Sequence, residues 1–247
     1  MSKVGNTLVL AGAREAHGII NGLVARGRQV IASLPEPERF FDPLPVRTRV
    51  GTFDSQSDLQ GWLGKEEVKT LIDASHPFDA RISEMAHAAA ARRKVRYLRV
   101  LRPPWAAART DQWGFYPTVR CAVEAIGPTL TVFSNTGWAS LPEYERFRGR
   151  RVFFRQTHHV DQPAPYSFVS FVPGKPPFTQ QQEEALFLEL GVDRLICRNT
   201  GGAASVSKLL AARKIGLRVL MVERPPVPAG TPVSGNVAEA LAWEADE

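Results

Sequence analysis

Short apolar runs alternate along this chain with stretches of helical periodicity, and loops rich in glycine or proline separate them. The runs at 7–10, 29–34, 46–50, 68–74, 97–101, 129–134, 151–155, 168–172, 194–197 and 218–223 read as strands. Val68, Leu71, Ile72 and Ala74 show no in–out alternation, the mark of a strand buried on both faces. Helical spacing fills the intervals. One helix runs from the turn at 11–16 to Arg26, and Gly27 closes it. A short one, capped by Asp54 or Ser55, reaches Leu63. The next starts at Asp79 and runs to Arg93, with Ile82, Met85, Ala86, Ala89 and Ala90 on one face. Others follow at 118–126, 141–147, 179–190 and 203–212, and a last one leaves Ser234-Gly235-Asn236 and ends at Trp243. Thr179 with Gln182 has the spacing of a capping box.

Strand–helix alternation of this kind predicts an α/β fold of two Rossmann-like parallel-sheet lobes facing a central cleft. The first lobe covers 1–105 and reads βαββαβαβ; 106–117, with Trp113, Phe115 and Tyr116, reads as an irregular crossing segment. The second lobe covers 118–247, with its last element free to cross back to the first. Arg224-Pro225-Pro226 repeats Arg102-Pro103-Pro104, which suggests two similar lobes.

Composition narrows the class. A hydrophobic share of 44% with 23% charged residues is that of a soluble globular protein. No apolar run approaches the ~20 residues of a membrane span. The N-terminal apolar stretch runs straight into a glycine turn and a helix, as a strand does and a signal peptide does not. Cys121 and Cys197 are far apart, so reduced thiols and a cytoplasmic location are expected. The His158-His159 pair has no third ligand nearby, and no metal site is expected. The net charge of +6 is dispersed. Its densest cluster, 146–151, leads into a strand without any nucleic-acid motif. An excess of scattered arginine fits a polyanionic small molecule, and neither nucleic acid nor membrane is expected as a partner.

The chemistry collects at the carboxyl ends of strands, where open α/β sheets bind ligands. Ser75-His76-Pro77-Phe78 ends one strand and Arg102-Pro103-Pro104-Trp105 the next. Taken singly, these side chains are ordinary packing or solvated residues. Together at two strand ends they predict a site. Gly12, Ala13, Arg14 and Glu15 make a strand–turn–helix of the sort that offers amides to phosphate, although no full G-x-G-x-x-G is present, since Arg14, Glu15 and His17 lie between Gly12 and Gly18. An NAD-preferring lobe carries an acid about 20 residues after that turn. Ala32 and Ser33 stand there instead, with Glu36 and Glu38 beyond them in a proline-held loop. Arg14, Ser33 and Arg39 are therefore the candidates for a 2′-phosphate. Later, Asn135-Thr136-Gly137 and Arg198-Asn199-Thr200-Gly201-Gly202 end two further strands, and Lys208 follows in a helix.

DASHPFDARIS followed by YLRVLRPPW resembles the signature of the precorrin-6A reductase family of cobalamin biosynthesis, D-A-[ST]-H-P-F-A-x-x-[IM]-S and then R-x-x-R-P-x-W. Further similarity covers nearly the whole chain. Ala11 and Ala13 replace residues of the family's G-G-T-x-E-[AG] turn, and Arg198 and Thr200 stand in its K-x-S-G-G. The resemblance implies NADPH-dependent reduction of precorrin-6A to precorrin-6B, with hydride and proton added across one double bond. It implies a cofactor held by Gly12, Ala13, Arg14, Glu15, Ser33, Arg39, Ser75, His76, Pro77 and Phe78. A tetrapyrrole would be held by Arg102, Trp105, Thr136, Gly137, Arg198, Asn199, Thr200, Gly201, Gly202 and Lys208. His76 is the nearest candidate for a proton donor, with solvent as the alternative. Neighbouring pathway enzymes are the macromolecular partners it suggests. Two other readings stay open: a nicotinamide-dependent reductase of a smaller substrate, and a two-lobed tetrapyrrole- or nucleotide-binding protein without turnover.

Overall fold

A computed structural model describes residues 5–37, 43–157 and 162–246; Arg39, Glu38 and the His158-His159 pair lie outside them. The chain divides into two compact units, Met1–Pro103 with Pro225–Glu247, and Pro104–Arg224.

The first unit starts with β1 (Asn6–Ala11), α1 (Glu15–Ala25), β2 (Val30–Leu34) and β3 (Arg47–Val50). It continues with α2 (Gln56–Lys65), β4 (Val68–Ala74), α3 (Ala80–Arg93) and β5 (Arg96–Val100). The apolar runs explain the layering. β1, β2 and β4 are buried along nearly their whole length, so helices must cover both faces of the sheet. One face takes Ala16, Ile19, Ile20 and Leu23 of α1. The other takes Leu59 and Leu63 of α2 with Ala86, Ala89 and Ala90 of α3. Full burial of each large aliphatic side chain contributes roughly 1.5–3 kcal/mol. Ser55 caps α2 by accepting from the Asp58 amide.

The second unit starts with β6 (Trp113–Tyr116), α4 (Val119–Glu124), β7 (Thr131–Asn135), β8 (Arg151–Gln156) and β9 (Val169–Pro173). It ends with α5 (Gln180–Glu189), β10 (Arg194–Arg198), α6 (Ser207–Ile215) and β11 (Arg218–Val222). Thr118 caps α4, and Thr179 with Gln182 forms both bonds of the capping box on α5. The chain then returns to the first unit with β12 (Val233–Ser234) and α7 (Val237–Ala245).

The sheet orders are β12-β5-β4-β1-β2-β3 and β6-β11-β10-β7-β8-β9, and every pairing in both is parallel. Each is the doubly wound order 3-2-1-4-5-6. The sixth place is filled from outside the consecutive run: by β12 from the tail in one sheet, and by β6 from the stretch before β7 in the other. Residues 106–117 therefore are not wholly irregular. Trp113-Gly114-Phe115-Tyr116 pairs with β11 as an edge strand; its aromatic residues have high strand propensity, but four residues carry little periodicity. The helix expected at 141–147 is a 3-10 helix at Trp138–Tyr144, with Pro142 inside it. Proline cannot donate to a regular α-helical ladder. Two glycines let the returning tail dock. A Cβ at Gly22 would meet Leu241 Cδ1 at 2.5 Å, and one at Gly18 would meet Val237 Cγ2 at 3.1 Å. Gly18 thus serves helix–helix packing and not a phosphate. Arg96 donates to the Trp243 carbonyl at 2.7 Å and lies over the Trp243 ring.

Candidate functional site

Each sheet reverses its winding between two central strands, β1 and β4 in the first and β7 and β10 in the second. That is where such sheets bind ligands. The two places are built differently.

In the first unit the loops after β1, β2, β3 and β4 enclose a cavity of about 410 Å³, within the usual size of small-molecule sites. Gly12, Ala13 and Arg14 form its floor, and Ser33, Ser75 and His76 line its walls. A Cβ at Gly12 would come within 3.0 Å of the His76 amide nitrogen and 3.3 Å of Ser75 Cα, so only glycine keeps the two loops this close. The Ala13 amide is taken by the Ala74 carbonyl at 2.9 Å; Ala13 offers a surface, not a phosphate-binding N–H. Glu15 does not line the cavity. It grips Arg102, with Arg102 Nη1 2.8 and 2.6 Å from its two carboxylate oxygens. Arg102, expected on a substrate, is thus drawn toward the turn after β1. Phe78 is beside His76 but outside the lining, and Pro77 belongs to a separate cavity of about 20 Å³.

His76 has an assigned hydrogen-bonding role. Its Nδ1 accepts from the Phe78 amide at 3.2 Å, so a neutral ring carries its proton on Nε2. Beneath the loop lies a buried polar lock. Asp73 Oδ1 accepts from the Ser75 amide at 3.0 Å and from Arg99 at 3.1 Å, and its Oδ2 accepts from the Tyr97 hydroxyl at 2.8 Å. Arg99 also donates to the carbonyls of Asp73, Ser75 and His76. The ion pair fixes the backbone that carries Ser75 and His76. Burial and the Asp73 charge push the Tyr97 hydroxyl far up, so it remains a donor.

Sequence reasoning missed most of the lining, His17, Pro35, Glu36, Phe53, Asp79, Arg81, Ile82 and Met85 among it. Ile82 and Met85 read as the core face of a helix, and that spacing hid their second surface. Phe53 is held under Arg49, whose guanidinium carbon is 3.8 Å from the ring centroid.

In the second unit the corresponding turn is filled by the protein itself. Arg198, at the end of β10, lies against Gly137 at the end of β7; a Cβ there would meet Arg198 Nη2 at 2.5 Å, and Gly137 has φ +82°. Thr136 is fully buried, so its hydroxyl cannot reach a substrate. It joins Ser134, Ser140 and Tyr144 in a closed hydroxyl cluster, with Ser134 Oγ to Tyr144 Oη at 2.6 Å. Burial pushes the Tyr144 hydroxyl up to about 12. Asn199 also looks inward: its Oδ1 accepts from the Trp105 amide at 2.8 Å and its Nδ2 donates to the Trp105 carbonyl at 3.0 Å. Trp105 Nε1 donates to the Gly202 carbonyl at 2.9 Å. Arg224 holds the same loop through the carbonyls of Asn199 and Thr200.

Lys208 is only 5% exposed. Its ammonium donates to the Ser205 carbonyl at 2.5 Å and lies 5.0 Å from the Trp105 ring centroid. Burial lowers its pKa, with Cys197 and Glu183 opposing. Glu183 and Arg155 form a buried pair at 2.5 Å, and burial raises the Glu183 carboxyl against the pull of Arg155 and Lys208. Lys208 is therefore a supporting charge under the Trp105 loop rather than an open contact. The Cys197 thiol is pushed up to about 11 by burial, which makes it an inert core residue. Among the described residues no group of three metal-type ligands comes together, and no helix is long and apolar enough to cross a membrane.

Comparison with known proteins gives one consistent picture. The family model described as "Precorrin-6x reductase CbiJ/CobK" matches residues 6–245. A precorrin-6A reductase of Rhodobacter capsulatus is 31% identical over 240 residues, covering 97% of this chain and 95% of that protein. One from Sinorhizobium sp. is 33% identical over 236 residues, covering 95% and 90%. A solved structure described as "CobK precorrin-6A reductase" superposes with a TM-score of 0.88 at 30% identity, over 98% of this chain and 96% of that one.

Proposed function

The chain belongs to the precorrin-6x reductase family, and on that premise we propose that NADPH, held in the cavity of the first unit, supplies the hydride for its reduction of precorrin-6A to precorrin-6B in cobalamin biosynthesis. The observation that carries the cofactor assignment is the 410 Å³ cavity at the first sheet's switch point, where Gly12 brings the turn against the His76 amide.

The residues present fit a dinucleotide phosphate. Gly12 leaves room for close backbone approach, and Arg14 supplies charge at the turn. Ser33 stands in place of the acid that would repel a 2′-phosphate. Phe53, Ile82 and Met85 give an apolar wall for a flat base. When bound, the nicotinamide supplies the hydride; the protein orients and dries the site. His76 shapes the loop through Nδ1, which accepts from the Phe78 amide, and is left with Nε2 to face the cavity's ligand. Solvent then delivers the proton that completes the reduction. His76→Asn should retain measurable turnover with a shallow pH profile, and a loss of about 10²-fold or more in kcat with folding intact marks a true general acid instead.

For the substrate, Arg198 with the backbone at Gly137 and Thr200–Gly202 supplies the polar contacts, and Trp105 an aromatic surface. Asn199, Lys208 and Thr136 act from behind, by holding that loop. Incubation with NADPH and precorrin-6A, following the absorbance of both, tests the assignment. Loss of both absorbances in step is expected. Turnover with NADH alone, or none with either nicotinamide, removes it.

A further inference from the structure

Resting on the reading of the first unit's cavity as the cofactor site, we propose that Asp79 takes up a proton as the dinucleotide binds, so that this chain's cofactor affinity falls as pH rises.

Asp79 lines the cavity beside Ser75, His76 and Arg81. The motif that this stretch resembles has Ala at that position, so the resemblance assigns no role to a carboxyl there. It is the N-cap residue of α3, and the Ile82 amide that its carboxylate meets there favours the anion less than burial and the Asp73 charge disfavour it. Near it on β4 lies Asp73, whose carboxylate oxygens accept from Arg99, Tyr97 and the Ser75 amide. A carboxyl between a fixed buried carboxylate and a cavity that receives phosphate is the group to which a proton goes.

The surrounding charges agree. Burial first, and the Asp73 charge second, raise the Asp79 carboxyl above the ordinary carboxylate range; the Ile82 amide, Arg99 on β5 and Arg81 on α3 oppose them. Arg14, His17 and Glu36 share the cavity from the loop after β1, from α1 and from the loop after β2, and His76 from Asp79's own loop. An arriving dinucleotide excludes water and adds negative charge. Both changes favour the neutral acid. The carboxylate accepts one proton from solvent, and the acid so formed can donate a hydrogen bond to the bound anion where the carboxylate could only repel it.

Titration calorimetry of NADPH binding, in two buffers of different ionisation enthalpy and from about pH 5 to about pH 8, tests this on the wild type, Asp79→Asn and Asp79→Ala. The cofactor's own 2′-phosphate titrates in this range, but equally in all three proteins, and NADH repeats the series without it. The wild type should take up more proton than either variant. Its Kd should rise with pH relative to theirs, at most about tenfold per pH unit, the limit for one proton. Equal proton uptake with parallel Kd curves overturns the proposal alone. No NADPH binding by the wild type overturns the cofactor reading and this proposal with it.

Discussion

The switch points of the two sheets share a topology and differ in what occupies them. After β1 the turn is open: Gly12 packs against the His76 amide, and both line a cavity with Arg14 and Ser33. After β7 the same turn is closed: Gly137 is covered by Arg198, and four buried hydroxyls fill the space behind it. Each unit also buries a carboxylate close to a cation, Asp73 on β4 beside Arg99 in the first and Glu183 on α5 beside Arg155 in the second. Asp73 is fully matched by donors and fixes a loop that must hold still. Glu183 balances Arg155 and stands near Lys208 under a loop pinned by Trp105. The same wound sheet therefore carries an open cavity at its switch point in one unit and a closed, internally bonded turn in the other, according to a few residues at the strand ends.

The comparison can be broken most severely at Glu183. Glu183→Ala leaves Arg155 and Lys208 uncompensated in the interior, and should cost about 3–5 kcal/mol in denaturant unfolding. A loss under about 1 kcal/mol shows that the pair is reached by water and does not support the second unit.

Next in size are the two arginines. Arg14→Ala should weaken NADPH by about 1.5–3 kcal/mol while sparing NADH, as measured by direct binding. Equal weakening of both assigns Arg14 to the pyrophosphate. Arg198→Ala should raise KM for precorrin-6A by a similar factor and leave NADPH affinity alone. Loss of cofactor affinity in Arg198→Ala erases the division of labour.

Smaller effects come from the two turn glycines, which fail for different reasons. Gly12→Ala sets a methyl against the His76 amide and should raise the NADPH Kd about tenfold, near 1.4 kcal/mol. Gly137→Ala puts a side chain at φ +82° and displaces Arg198. Thermal unfolding should record a cost of roughly 1–2 kcal/mol there, with NADPH affinity unchanged.

The smallest effect is on stability at Asp79. Its carboxyl is raised in the folded protein, so its favourable contribution is complete below the unfolded-state pKa and is lost as pH rises through the folded-state one. Asp79→Asn should therefore unfold at a higher temperature than the wild type at neutral pH, by a margin that shrinks as the solution is acidified. A margin that grows in acid contradicts the sign.

How much of this the sequence carried depended on length of signal. The apolar runs of β1, β4 and β10 and the caps at Ser55, Thr118 and Thr179 were legible because each is local. β6 and β12 were not: four and two residues give no periodicity, and their place in the sheets depends on partners far along the chain. Among the candidate residues, Gly12, Arg14, Ser33, Ser75 and His76, taken from strand ends, spacing and resemblance, line one cavity. Thr136, Asn199 and Lys208 were correctly placed near a loop, yet polarity in a sequence does not reveal whether a group faces a ligand or its own backbone. Asp79 was read as the N-cap of α3, and it stands there; the cavity beside it was not legible because it depends on β2 and β3.

The central claim is that the cofactor enters the open switch point and not the closed one. Amide hydrogen exchange with and without NADPH measures it directly. Added protection at Gly12–Arg14 and Ser75–His76, with none at Gly137 and Arg198–Gly202, is the predicted result. Protection confined to the second set, with Gly12 and His76 unaltered, contradicts it.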